Sequence, residues 1–158
     1  MTAATVVEAQ VAFVQSTVVT VAGEQFGEID VQGWGTPDPM VSLQIGPVLC
    51  RIGQPHLTVP HVAGVWRGAA VVAQRLPKAL PARVIGRPSL EQLVTGVVLK
   101  LSAQPGTYAR LVPPRKPAGW PVLEIRVGPV TWLLLDQAAW NTTTSIWLKA
   151  LDIVKPEN

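Results

Sequence analysis

Residues 43–48 read LQIGPV and residues 125–130 read IRVGPV. In both, apolar residues alternate up to a Gly-Pro dipeptide and resume with a valine. Alternation with period two marks a half-buried strand, and Gly-Pro is a strong turn signal. Each hexapeptide therefore reads as strand, turn, strand. The two copies stand 82 residues apart, and at that offset Pro39 meets Pro121, Val41 meets Leu123, Leu43 meets Ile125 and Ile45 meets Val127. Phe26 meets Tyr108 and Ile29 meets Leu111 as well. A shift of one or two residues for loop changes brings Trp66 onto Trp147, and Val19 and Val21 onto Leu99 and Leu101. The pattern points to two similar halves, 1–80 and 81–158, within one unit spanning 1–158. The competing account is chance, since any chain rich in Val, Gly and Pro yields such matches. A fused pair of copies would form a pseudo-twofold unit and let each half specialise.

The alternation recurs outside the hexapeptides, in Val7, Ala9, Val11 and Phe13, in Val19 and Val21, in Ile29 and Val31, and in Val48, Cys50 and Ile52. Fifteen prolines and thirteen glycines break these runs at short spacing, as in TPDP (36–39), LPKALP (76–81) and VPPRKPAGWP (112–121). Short alternating runs between dense turn signals predict a mainly β fold, a sandwich or barrel. Proline at this density also argues against long helices, leaving two or three short ones. Ser89 to Gln92 forms a capping box ahead of Leu93, Val94 and Val97. Val62, Val65, Trp66, Ala69, Ala73 and Leu76 follow a helical period, as do Trp147, Leu151 and Val154. Thr142 to Ser145 read as a loop that caps the segment beginning at Ile146.

Hydrophobic residues make up 48% of the chain and charged residues only 15%, against roughly 25% charged in an ordinary soluble domain. Little of the surface can be covered by charge, which suggests burial against a partner. The longest near-apolar run, Val127 to Leu135, is about half of the ~20 residues a membrane span needs. No membrane span is expected. The N-terminal stretch MTAATVVEAQ lacks a basic region and meets Glu8 early, so it does not read as a secretion signal, and a cytoplasmic or virion location is expected. Charge is polarised along the chain. Residues 1–50 carry five acids and no Lys or Arg, whereas residues 51–90 carry six bases and no acid. The two zones can lie together in one fold, meet head to tail between copies, or face an anionic partner.

The search for chemistry is largely negative. Cys50 is the only cysteine, so an internal disulfide and any multi-cysteine metal site are excluded. Its place on the apolar phase with Val48 and Ile52 makes it a core residue rather than a nucleophile. His56 and His61 lie five apart across a proline with no acid between residues 39 and 90, a poor start for a metal site. Glu24, Glu28 and Asp30 form the tightest acidic group but have no apolar pocket to split their pKa values. Asn141, Thr142 and Thr143 match a glycosylation acceptor, and the simpler reading is a polar turn. No phosphate-cradling loop and no motif calling for a cofactor is present, and an enzyme is not expected.

Six tryptophans against two phenylalanines and one tyrosine is an unusual ratio. Trp34 and Trp120 sit in Gly- and Pro-rich loops, and with Trp140 they are candidates for anchoring an interface. These features together predict a non-catalytic structural protein working in multiple copies, bound to itself or to another structural protein, such as a virion shell, tube or decoration subunit. The alternative is a nucleic-acid-binding β-barrel in which Arg67, Arg75, Lys78, Arg83 and Arg87 contact phosphates.

Overall fold

The computed structural model describes residues 16–80 and 96–155. The first half supplies β1 (Thr17–Val21), β2 (Gly27–Gln32), β3 (Met40–Ile45) and β4 (Val48–Gly53), followed by α1 (Pro55–Gly68) and the single turn α2 (Ala70–Ala73). The second supplies β5 (Val97–Leu101), β6 (Thr107–Val112), β7 (Val122–Val127) and β8 (Val130–Leu134), followed by α3 (Gln137–Val154). The strands form two four-stranded sheets, in the orders β5-β4-β3-β2 and β1-β8-β7-β6. The architecture is a mainly β sandwich with helices. The assigned strand run Val7 to Phe13 and the capping box at Ser89 lie outside the described residues.

Both Gly-Pro dipeptides make two-residue hairpins. Ile45 pairs with Val48 and Val127 with Val130, and the intervening Gly46 and Gly128 have φ of 54° and 58°. Glycine reaches that region at no steric cost, and a glycine first in a two-residue loop is the preference of a turn whose twist matches its strands. Alternation then sorts the side chains. Val41, Leu43, Ile45, Val48, Cys50 and Ile52 point inward from the first sheet, and Leu123, Ile125, Val127, Val130, Trp132 and Leu134 from the second.

Each sheet is completed by a strand from the other half. β1 lies parallel to β8, with Val19 beside Trp132, and β5 lies parallel to β4, with Cys50 beside Leu99. Exchanging the halves maps one sheet order onto the other. The helices bridge the sheets too: α1 packs against β4 and also against β6 and β7, α3 packs against β8 and also against β2 and β3, and the two helices pack on each other. Trp66 of α1 meets Trp132 of β8 edge to face at 5.7 Å. The buried side chains of both halves consequently form one cluster.

Three helices accompany the sheets, as expected, and the longest, α3, has 18 residues and holds no proline. Two expectations are corrected. Thr142 to Ser145 lie within α3 rather than in a loop before it, and Asp136 is its cap. Val97, assigned to a helix, opens strand β5. The helical period of Val62, Val65 and Trp66 falls on α1 and Ala73 on α2, whereas Ala69 joins the two and Leu76 lies beyond α2; α1 begins earlier, at Pro55, where a proline costs nothing in the first turn.

The close approach of α3 to β2 depends on Gly27. A Cβ there would stand 2.2 Å from Ile146 Cδ1 and 2.3 Å from its Cγ1. Gly27→Ala is therefore expected to destabilise the fold by ~2 kcal/mol through overpacking. Adding Ile146→Ala should recover part of that loss, a non-additivity that urea denaturation of the two single variants and the double variant would show.

Candidate functional site

Of the described residues, Asp136 is the one acidic side chain that is fully buried. It accepts from the backbone N–H of Ala139 at 2.8 Å, which caps α3, and from Gly23 N–H at 3.0 and 3.1 Å on its two oxygens. Leu80 N–H reaches it at 3.3 Å. One carboxylate thus ties the β1–β2 turn and the segment after α2 to the start of α3. Among the described residues every donor is a backbone amide, so the arrangement is a structural knot rather than an acid poised over a pocket. Asp136→Ala should cost ~3 kcal/mol, more than a lost cap alone, because buried amides lose their acceptor. Asp136→Asn, which keeps one acceptor oxygen, should cost less in the same thermal or urea melts.

Both histidines and the cysteine are also engaged with the fold. His56 donates through Nδ1–H to Val154 O at 3.1 Å, and His61 through Nε2–H to Pro105 O at 2.6 Å. The two rings join α1 to the end of α3 and to the β5–β6 turn respectively, and they do not converge. Cys50 is buried among the strands, and burial pushes its thiol up to about 12, which keeps it protonated and unreactive at neutral pH. No group of three His, Cys, Asp or Glu comes together among the described residues. No described helix is long and apolar enough to cross a membrane.

The tryptophans divide. Trp140 of α3 is half-buried, and its Nε1–H donates to Trp66 O at 3.2 Å, so its polar end is used inside the fold. Trp34 and Trp120 are 45% and 46% exposed. They stand in corresponding connections, Trp34 just after β2 in the β2–β3 connection and Trp120 just before β7 in the β6–β7 connection. Trp34 leans on the His56 ring, with centroids 4.9 Å apart, over a shallow depression that His56, Ile153 and Lys155 help to line. Of the basic candidates, Arg67, Arg75 and Lys78 are exposed at the end of α1 and beyond α2, whereas Arg83 and Arg87 lie outside the described residues.

The two outer sheet faces hold functional candidates that sequence reasoning missed. Across the first sheet Asp30, Ser42, Arg51 and Lys100 stand in register, with Glu28 in the next outward row. Across the second, Arg110, Glu124, Leu133 and Thr20 form one row and Tyr108, Arg126, Thr131 and Val18 the next. Arg110 is ion-paired with Glu124, Tyr108 donates to the same carboxylate at 3.2 Å, and the guanidinium lies 5.9 Å from the tyrosine ring. The equivalent strand of the first half offers Glu28 and Asp30 where the second offers Tyr108 and Arg110. The available signal was the alternation of TYARLV, obscured because the strands β2 and β6 start 80 residues apart, at 27 and 107, rather than at the 82 that pairs Phe26 with Tyr108.

No family model, curated protein or solved structure matches this chain.

Proposed function

We propose that this chain is a non-catalytic structural subunit that works in multiple copies, bound to itself or to another structural protein, in the manner of a virion shell, tube or decoration subunit. The observation that supports this reading is the pair of tryptophan-bearing connections. Both halves turn a tryptophan outward from the connection between their second and third strands, to nearly the same degree. Half-exposed tryptophans are the residues that most often anchor protein interfaces. Val18 and Val98, at equivalent places on the two outer faces, are 57% and 61% exposed and add apolar surface that an isolated molecule gains nothing by showing. Among the described residues, His56, His61, Cys50 and Asp136 are engaged in holding the fold.

Light scattering across a concentration series tests the proposal. The mass should rise above the 16.9 kDa of one chain, and the paired substitution Trp34→Ser and Trp120→Ser should return it toward that value. A monomer at every concentration that instead takes up a single-stranded oligonucleotide, with an affinity falling steeply with salt, would overturn the proposal. That outcome would favour nucleic-acid binding on the face that bears Tyr108, Arg110 and Arg126, where an exposed aromatic lies beside two cations.

A further inference from the structure

Among the described residues each sheet has two outer edges, β5 and β2 in the first and β1 and β6 in the second. An unpaired row of backbone N–H and C=O groups invites another strand, and natural proteins commonly blunt it with charge. Three of these edges carry charge. β2 has Glu28 and Asp30, β6 has Arg110, and β5 has Lys100 in register with Arg51. The fourth has none: β1 reads TVVTV and its neighbour β8 reads VTWLL. On the outer face Val18 lies beside Thr131 and Thr20 beside Leu133, and Val18 is 57% exposed. The hydrogen bonds of β1 show which of its residues face the open side. Thr17 N–H donates to Pro129 O at 2.9 Å and Leu135 N–H to Val21 O at 3.0 Å, so the odd residues bond to β8. The N–H and C=O of Val18 and Thr20, whose side chains point outward, are therefore turned to the open side.

We propose that β1 of one molecule pairs with β1 of a second copy, antiparallel about a twofold axis, so that the second sheets of the two copies become one. The inference rests on the multi-copy reading above and supplies one of its contacts. The register follows from the backbone. In an antiparallel ladder, residues whose N–H and C=O face the partner stand opposite one another. The register that overlaps the whole of Thr17–Val21 satisfies this. Val18 stands opposite Thr20 of the second copy and Thr20 opposite Val18, each pair exchanging both hydrogen bonds, while Val19 stands opposite Val19 and Thr17 opposite Val21. Outward side chains of the two copies then share one face and inward ones the other. Each of these pairs joins β-branched residues, which suit a pleated, half-buried surface. A twofold contact also needs a surface that complements itself, and charge separates the edges on that ground. Pairing β2 with β2 would set acid opposite acid. Pairing β5 with β5 would gather Lys100 and Arg51 of both copies on one face, and pairing β6 with β6 would gather Arg110 of both; like charges across a strand pair are unfavourable. Pairing β1 with any of the three would lay charges beside a strand that has none to answer them.

The substitution Val19→Cys tests symmetry and register together. Cα atoms of a non-hydrogen-bonded antiparallel pair lie about 4.5 Å apart, within the reach of a disulfide, and a single introduced cysteine joins two chains only where the strand meets its own copy. Mild oxidation of this variant, once its circular dichroism is shown to be native, should give a covalent dimer of twice 16.9 kDa on a non-reducing gel. The parent, whose Cys50 is buried, and Leu99→Cys, the equivalent position on the charged edge β5, should remain single chains. Val18→Lys, which sets a cation of each copy near the other across the axis, should weaken association about tenfold or more in light scattering. A multimeric parent whose Val19→Cys variant does not cross-link would overturn the β1 pairing and leave the multi-copy reading standing; the edge would then belong to residues 1–15 or to a different protein. Leu99→Cys cross-linking to the same extent would overturn the selection of β1 by charge. A parent that is monomeric throughout would remove both readings.

Discussion

The constraint on which everything else depends is the exchange of edge strands between the halves. β1 completes the sheet of the second half and β5 completes the sheet of the first, both through parallel ladders. A parallel pair cannot be closed by a tight turn, and each of these joins strands far apart in sequence. Neither half can build its own four-stranded sheet alone, and the helices, each packed on strands of both sheets, reinforce the same dependence. The result is one core with contributions from both halves, in which Trp66 and Trp147 are almost wholly buried. Because so many contacts are non-local, the chain belongs to the slower-folding class of topologies.

The exchange places its strain at the junctions, and the polar side chains are used there. Asp136 satisfies amides from three segments where β1 leaves its sheet and α3 begins. Its counterpart before α1 is Gln54, which adopts φ of 50° and offers no side-chain cap; its Oε1 accepts from Ser102 instead. Thr58, buried in α1, bridges to the carbonyls of Gly53 and Ala103 at 3.3 and 2.7 Å. The two halves thus solve the same junction with different residues. Ala103 and Gly23, corresponding positions, both lie at positive φ, at 58° and 75°, but only Gly23 sends its amide to Asp136. The helix pair carries a cost: Trp66 Nε1, Trp147 Nε1 and the hydroxyls of Thr143 and Thr144 have no partner among the described groups. Apolar packing across the shared core must offset it.

The hairpins were legible because their signal is local. Alternation plus Gly-Pro specifies strand, turn and inward face within six residues, and the buried faces of β3, β4, β7 and β8 follow directly from it. Helix α3 was only half legible. Trp147, Leu151 and Val154 showed its period, but the polar run Thr142 to Ser145 carries low helix propensity and reads as a loop. Burial of Thr143 and Thr144 against the rest of the fold overrides that preference, and Asp136, a preferred cap residue placed directly before the helix, was the overlooked sign. The strand exchange left no local trace, since which sheet receives β1 depends on residues more than a hundred positions away. The charge contrast between β2 and β6 was visible in composition as an acidic first third, yet setting it on two outward strand faces needed the strands to be located first.

Hydrogen–deuterium exchange at low and high protein concentration addresses the central claim most directly. Multi-copy association anchored by the exposed tryptophans predicts that amides of the Trp34 and Trp120 connections gain protection as concentration rises. Protection independent of concentration throughout the chain, or a gain confined to helix α1 and the residues beyond α2, would contradict it.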